Sequence, residues 1–220
     1  MSLKSEVQRI ILLKCLEARG EYIPLVDLVD QVKEIVKYRA SAALSLNSKA
    51  LEERGYIMRK TVNRRIYIAL KPEVAQSTRK LLGIEAPNLL ISGYTWNPQK
   101  PEDLTPIKNY IDAIIKLEKE GIKINKIVCF TTPQAREKRI QHKIKPEPNI
   151  EIEEPFQTYQ TNLEWIQSKL EEQIRQNIWT HNIIIDITPL TKLYTIAAIN
   201  TAKKYGIKTI YHFAEKIIWI

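Results

Sequence analysis

Seven consecutive residues near the C-terminal end gather side chains able to hold an anion: Asp186-Ile187-Thr188-Pro189-Leu190-Thr191-Lys192. They follow directly on the apolar run Ile183-Ile184-Ile185, which reads as a strand buried on both faces in the middle of a parallel sheet. Thr188 suits an N-cap and Pro189 the first helical position. The spacing therefore predicts a helix from there through Leu193, Ile196, Ala197 and Ile199 to about Lys204, with Gly206 as its stop. Lys192 then falls in the first turn, where a cation opposes the macrodipole by about 0.3 to 1 kcal/mol unless an anion is near. Two readings follow. Either free amides, the Thr188 and Thr191 hydroxyls and Lys192 converge on an anionic ligand beyond the carboxyl ends of the strands, or Lys192 pairs with a surface carboxylate and Asp186 caps a turn.

Two further strand ends carry hydroxyls. Asn88–Ile91 ends in Ser92-Gly93-Tyr94, and Lys126–Phe130 ends in Thr131-Thr132 before Pro133. A G-x-G-x-x-G loop is missing, so NAD or FAD binding has little support. H-E-x-x-H, paired cysteine ligands and G-x-S-x-G are missing too, and His142, His181 and His212 are scattered, so no metal centre is expected. Cys15 and Cys129 fall inside apolar runs with no ligand spacing and read as buried thiols of a reducing cytoplasm.

Positioning these residues takes alternating strands and helices. Helices are predicted over Thr105–Glu120, from Gln134 to about Lys143 and from Gln160 to about Gln176, with inward Leu163, Ile166, Leu170 and Ile174. Strands are predicted at 150–152 and 207–213, and 216–220 returns as an antiparallel edge. Such alternation with long connections implies right-handed crossovers and a parallel sheet, which brings the three polar strand ends to one rim.

Asp186-Ile-Thr188-Pro-Leu-Thr191-Lys192 resembles the D-x-T-G-G-T-K signature of the CRISPR-associated Rossmann-fold (CARF) sensor domains, and the element order agrees over residues 86–220. The two glycines are Pro189 and Leu190 here, and a side chain at 190 restricts how closely a phosphate approaches the backbone. The resemblance implies a homodimer that binds cyclic oligoadenylate as ligand, with no cofactor. It points to Ser92, Gly93, Tyr94, Thr131, Thr132, Asp186, Thr188, Thr191 and Lys192 as ligand-binding residues. Some members are metal-independent ring nucleases using the ligand's 2′-hydroxyl as nucleophile; Ser92 and Lys192 would then be catalytic, orienting the ribose and stabilising the developing charge.

The formal charge of +9 is unevenly spread. Residues 1–84 hold 16 Lys and Arg against 9 Asp and Glu, and the remainder 18 against 16. The basic surface thus belongs to the N-terminal part, and nucleic acid is the expected polyanion. A helix with Val7, Ile10, Ile11, Leu13 and Leu16 as its stripe runs from Ser5 to Arg19. A second helix opens at Tyr22-Ile23-Pro24, and a third spans Arg39–Arg54, with Leu44 and Leu51 inward. A basic hairpin follows, turning at Thr61-Val62-Asn63.

Three helices and a hairpin resemble the winged helix-turn-helix family, whose third helix enters the major groove of double-stranded DNA while the wing tracks its backbone. Arg39, Ser41, Ser45, Ser48 and Lys49 are expected on the outward helix face, and Arg59, Lys60, Arg64 and Arg65 on the wing. The chain reads as α/β: a winged helix-turn-helix at 1–71, a linker helix at 72–85, and a Rossmann-like domain at 86–220 whose mostly parallel sheet carries helices on both faces. No window approaches about 18 apolar residues, so no membrane contact and a cytoplasmic location are expected.

Overall fold

Val7, Ile11, Leu12, Cys15 and Leu16 recur at intervals of three and four, and they form the buried side of the first helix, α1 (Glu6–Glu17). Ile10 and Leu13 of the expected stripe are only half-buried. The computed structural model describes residues 5–36, 38–214 and 216–220, and the chain divides after Glu85 into two compact units.

In the first unit α1 is followed by the two-residue strand β1 (Ile23–Pro24), a 3-10 turn, α2 (Val29–Lys33), α3 (Ala40–Glu53), β2 (Ile57–Val62) and β3 (Arg65–Leu70). The three strands form an antiparallel sheet ordered β1-β3-β2. Ile23-Pro24 therefore does not open a helix: Ile23 pairs with Ile68, and the helical turns start only at Leu25. The hairpin turns one residue later than expected. Thr61 and Val62 stay in the ladder opposite Ile66 and Arg65. Asn63 and Arg64 make the turn with φ of 49° and 62°, the two left-handed residues whose twist matches that of the flanking strands. Within residues 72–85, a 3-10 turn at Pro72–Val74 leads into α4 (Ala75–Leu82), which ends at Gly83 (φ 70°) and contacts α1 inside the first unit.

The second unit runs β4 (Asn88–Gly93), α5 (Thr105–Lys119), β5 (Ile124–Thr131), α6 (Pro133–Gln141), β6 (Ile150–Glu153), α7 (Phe156–Thr161), α8 (Leu163–Asn177), β7 (Asn182–Asp186), α9 (Lys192–Tyr205), β8 (Lys208–Phe213) and β9 (Lys216–Trp219). Its sheet is ordered β6-β5-β4-β7-β8-β9, with β9 alone antiparallel. This is the doubly wound order in which the chain reverses direction between two central strands, here β4 and β7. Right-handed crossovers put α5 and α6 on one face and α8 and α9 on the other. Leu90, Cys129 and Ile184 pack on the first face with Tyr110, Ala113 and Leu117 of α5.

The expected helix at 160–176 is two helices, because Asn162 leaves the helical region and its side chain accepts from Trp165 N (3.0 Å), starting α8 afresh. The helix expected from Pro189 begins instead at Lys192. Tyr194, Ala197, Ala198, Thr201, Ala202 and Tyr205 are its buried side, while Ile196 is 47% exposed.

Candidate functional site

At the reversal point the carboxyl ends of β4 and β7 meet, and their side chains bond to each other. Ser92 Oγ donates to Asp186 Oδ2 (2.8 Å), and both residues are fully buried. Thr188 N donates to Asp186 Oδ1 (2.9 Å), and His212 Nε2 lies 3.5 Å from Oδ2. Lys116 Nζ is 3.4 Å from His212 Nδ1, and the buried Nε2 makes no hydrogen bond among the described residues. The order is serine, carboxylate, imidazole, so His212 cannot act as base on Ser92 as it would in a hydrolytic triad.

The same contacts explain why Thr188 is no N-cap. Its backbone amide is folded onto Asp186, and its hydroxyl accepts from His212 N (2.9 Å). Leu190 then takes φ 70°, a left-handed conformation that stops any helix running through it. Thr191 is the cap: its hydroxyl accepts from Tyr194 N (3.3 Å) and donates to Tyr159 O. Lys192 is thus the first residue of α9 and is exposed, and it makes no ion pair among the described residues.

Leu190 also closes on β4. A β-carbon placed on Gly93 would lie 2.6 Å from Leu190 Cδ1 and 2.9 Å from the Phe130 carbonyl oxygen. Tyr94 is turned inward, donating to the Glu151 carboxylate and accepting from Arg139 Nε (3.3 Å), which is itself 2.9 Å from Glu151. Burial, together with Glu151, pushes the Tyr94 phenol well up. Thr131 is buried, and Thr132 caps α6 through Ala135 N (3.2 Å).

The structure therefore gathers all nine expected ligand-binding residues at one rim. Six are buried, Thr188 and Thr191 are half-buried, and only Lys192 is exposed. Cys15 and Cys129 are buried free thiols; burial pushes Cys15 up to about 12 and Cys129 well above its usual value.

A cleft of about 640 Å³ opens beside this rim, at the ends of β4, β5 and β6. Trp96, Asn97, Gln134 and Phe156 line it, with Thr132 as the one residue that the sequence singles out. The available signal is an aromatic residue shortly after β4, Trp96, and another shortly after β6, Phe156, the first residue of α7.

On the first unit, Arg39, Ser41, Lys49, Lys60, Arg64 and Arg65 are exposed and Ser45 is half-buried. Ser48 is not outward: it is fully buried on the same side as Leu44 and Leu51, and its hydroxyl donates to Ser45 O (3.0 Å). Arg59 lies against Glu52 (3.5 Å) with 15% of its side chain exposed, and Lys60 Nζ is 3.7 Å from the centre of the Tyr22 ring. Leu46, on the same helix as Lys49, is 70% exposed. Among the described residues no group of three His, Cys, Asp or Glu could hold a metal ion, and no helix is long and apolar enough to cross a membrane.

Fold and rim together define a mixed α/β protein whose six-stranded, mostly parallel sheet is Rossmann-like, joined to a small unit of helices and an antiparallel sheet. Among solved structures, it is similar to Can2 from Sulfobacillus thermosulfidooxidans in complex with cyclic tetra-adenylate, at 17% identity over 60% of this chain with a TM-score of 0.40. Similarity extends to Csm6 from Enterococcus italicus bound to cyclic hexa-2′-fluoro-hexa-dAMP, at 16% identity over 59% of this chain with a TM-score of 0.38. The chain spans 34% of the length of each. No protein-family model matches it, and no curated protein matches it in sequence.

Proposed function

We propose that this protein is a cyclic-oligoadenylate-responsive, DNA-binding transcriptional regulator linked to CRISPR defence. Its second unit senses the ligand as a CARF domain, and its first binds double-stranded DNA as a winged helix-turn-helix. The observation that carries this reading is Lys192. It stands exposed at the first position of a helix, at the reversal point of a doubly wound sheet, without an anionic partner among the described residues. A cation so placed is unfavourable until an anion arrives, and phosphodiester oxygens meet that need at the rim where such sheets take ligands.

Ser92 supports sensing over cleavage, because its hydroxyl is spent on Asp186 and is not exposed to meet a ribose. The test is incubation of the parent and Lys192→Ala with labelled cyclic tetra- and hexa-adenylate, followed by separation of bound ligand from linear products. The parent should retain one of the two rings intact. Lys192→Ala should bind it about ten- to a hundredfold more weakly, the loss of one charge-assisted contact worth roughly 1.5 to 3 kcal/mol. Equal binding by the two proteins sinks the ligand site at Lys192. Linear products would instead make the chain a ring nuclease.

A further inference from the structure

Three polar side chains of α3 are already engaged within the first unit. Asn47 Nδ2 donates to Ala43 O (2.9 Å), and its Oδ1 accepts from Ser5 Oγ (2.8 Å). The Ser48 hydroxyl is buried against Ser45 O (3.0 Å), and Glu52 faces Arg59 (3.5 Å). Asparagine is the side chain that grips the adenine edge with two hydrogen bonds, and Asn47 is not free to do so. What α3 shows to solvent is Ser41, Ala42, Leu46 and Lys49, with Ser45 half-buried and Glu53 exposed at the far end. Ala42 and Leu46 stand four residues apart on one line of the helix. At 70% exposure, Leu46 is the most exposed aliphatic side chain among the described residues. The charge around this apolar line has one sign. Arg39 is the residue that caps the helix, Lys49 follows Leu46 by three residues, and between Glu34 and Glu52 the chain carries no carboxylate.

An apolar line set between cations does not suit a second copy of the chain, since a two-fold contact would bring the same cations face to face. It suits the major groove of a duplex. Phosphates run along both walls of that groove, and its floor offers a methyl group at thymine alone among the four bases. An apolar side chain meeting that methyl tells thymine from cytosine, which has none. We infer that Leu46 is a sequence-reading residue of α3, which packs on the C5-methyl group of a thymine in double-stranded DNA with Ala42 lining the same contact. This role rests on the proposed DNA binding of the first unit and adds to it the base that is read.

Uracil differs from thymine only in lacking that methyl, which gives a direct test. Duplexes that the parent chain enriches from a random-sequence pool are resynthesised with thymine or with deoxyuridine. Both forms are then titrated by fluorescence anisotropy with the parent, Leu46→Ala and Leu46→Met, and thermal unfolding of each variant checks that the fold is kept. The parent should bind the uracil form at least about fourfold more weakly, the factor carried by one buried methyl group. Leu46→Ala should bind the thymine form more weakly by a similar factor and lose little further on uracil, because side chain and methyl are one coupled pair. Leu46→Met keeps an apolar side chain of similar volume and should recover most of the preference. A parent that holds both forms equally overturns the inference and leaves the DNA reading standing. A preference for thymine that Leu46→Ala retains in full does the same, since the methyl is then read elsewhere or through the shape of the duplex. So does a parent that binds duplexes but enriches no sequence among them. A parent that binds no duplex overturns the DNA reading itself, and this role of Leu46 with it.

Discussion

A leucine held left-handed costs the chain about 1 to 2 kcal/mol, and Leu190 keeps that conformation because its neighbours leave it no alternative. Thr188 is pinned by Asp186 and His212 N on one side, Thr191 by Tyr159 and Tyr194 N on the other. Between them the Leu190 side chain drops onto Gly93, where no β-carbon is present to refuse it. Glycine at 93 and leucine at 190 are therefore one packing choice. Gly93→Ala should destabilise by roughly 1 to 3 kcal/mol, the cost of forcing a methyl into filled space. Leu190→Gly should stay within about 1 kcal/mol of the parent, since relief of backbone strain offsets the contact it loses. In the double variant Gly93→Ala should cost less, with a residue of the penalty remaining from the Phe130 carbonyl 2.9 Å away. Denaturant unfolding of the four proteins reads the coupling, expected at about 0.5 kcal/mol or more. Strict additivity would show that Leu190 does not constrain Gly93.

The basic hairpin is the element on which the DNA reading turns. Arg64 occupies the second left-handed position of a two-residue turn, which glycine fills most readily. Arg64→Gly combined with Arg65→Ala should therefore remove two charges and keep the hairpin. Duplex binding should weaken across all sequences, and the slope of log K against log salt should become shallower by up to about 1.8, the equivalent of two phosphate contacts. Arg59→Ala should change that slope far less, because its guanidinium already lies against Glu52. An unchanged slope in the double variant would show that the hairpin makes no phosphate contacts.

The elements differ in how legible they are. The run at 183–185 announces a central strand because every residue is apolar, and β7 is flanked by β4 and β8. Its helix reads three residues early because Thr188-Pro189 and Thr191-Lys192 both look like starts. What decides between them is a bond from His212 N, 24 residues away and invisible to local pattern. Ser48 reads as outward because a helix of alanine and serine offers little contrast between its faces. The Trp96–Phe156 cleft escapes a reading of the sequence since its walls come from three separate segments, the loop after β4 and the starts of α6 and α7, with no motif in common.

For the whole molecule, the proposed regulation would be a matter of linkage between two units with different charge. The unit that ends at Glu85 carries most of the positive surplus, with 16 Lys and Arg against 9 Asp and Glu over residues 1–84. An anion bound at Lys192 can alter DNA affinity only by binding one conformational state better than another. If it does, the effect is reciprocal: saturating cyclic oligoadenylate must change the DNA dissociation constant by the same factor by which DNA changes that of the ligand. We expect a factor of about five or more, the lower end of ordinary allosteric coupling. The active species should be a homodimer, because paired recognition units read two half-sites and a two-fold axis gives each ligand site a symmetric counterpart. Light scattering fixes the oligomeric state, and two anisotropy titrations, each ligand in the presence and absence of the other, fix the factor. A monomer at micromolar concentration would count against the proposed homodimer. Equal affinities with and without the second ligand would leave two binding activities on one chain and no regulator, since a ligand that favours neither state shifts nothing however tightly it binds.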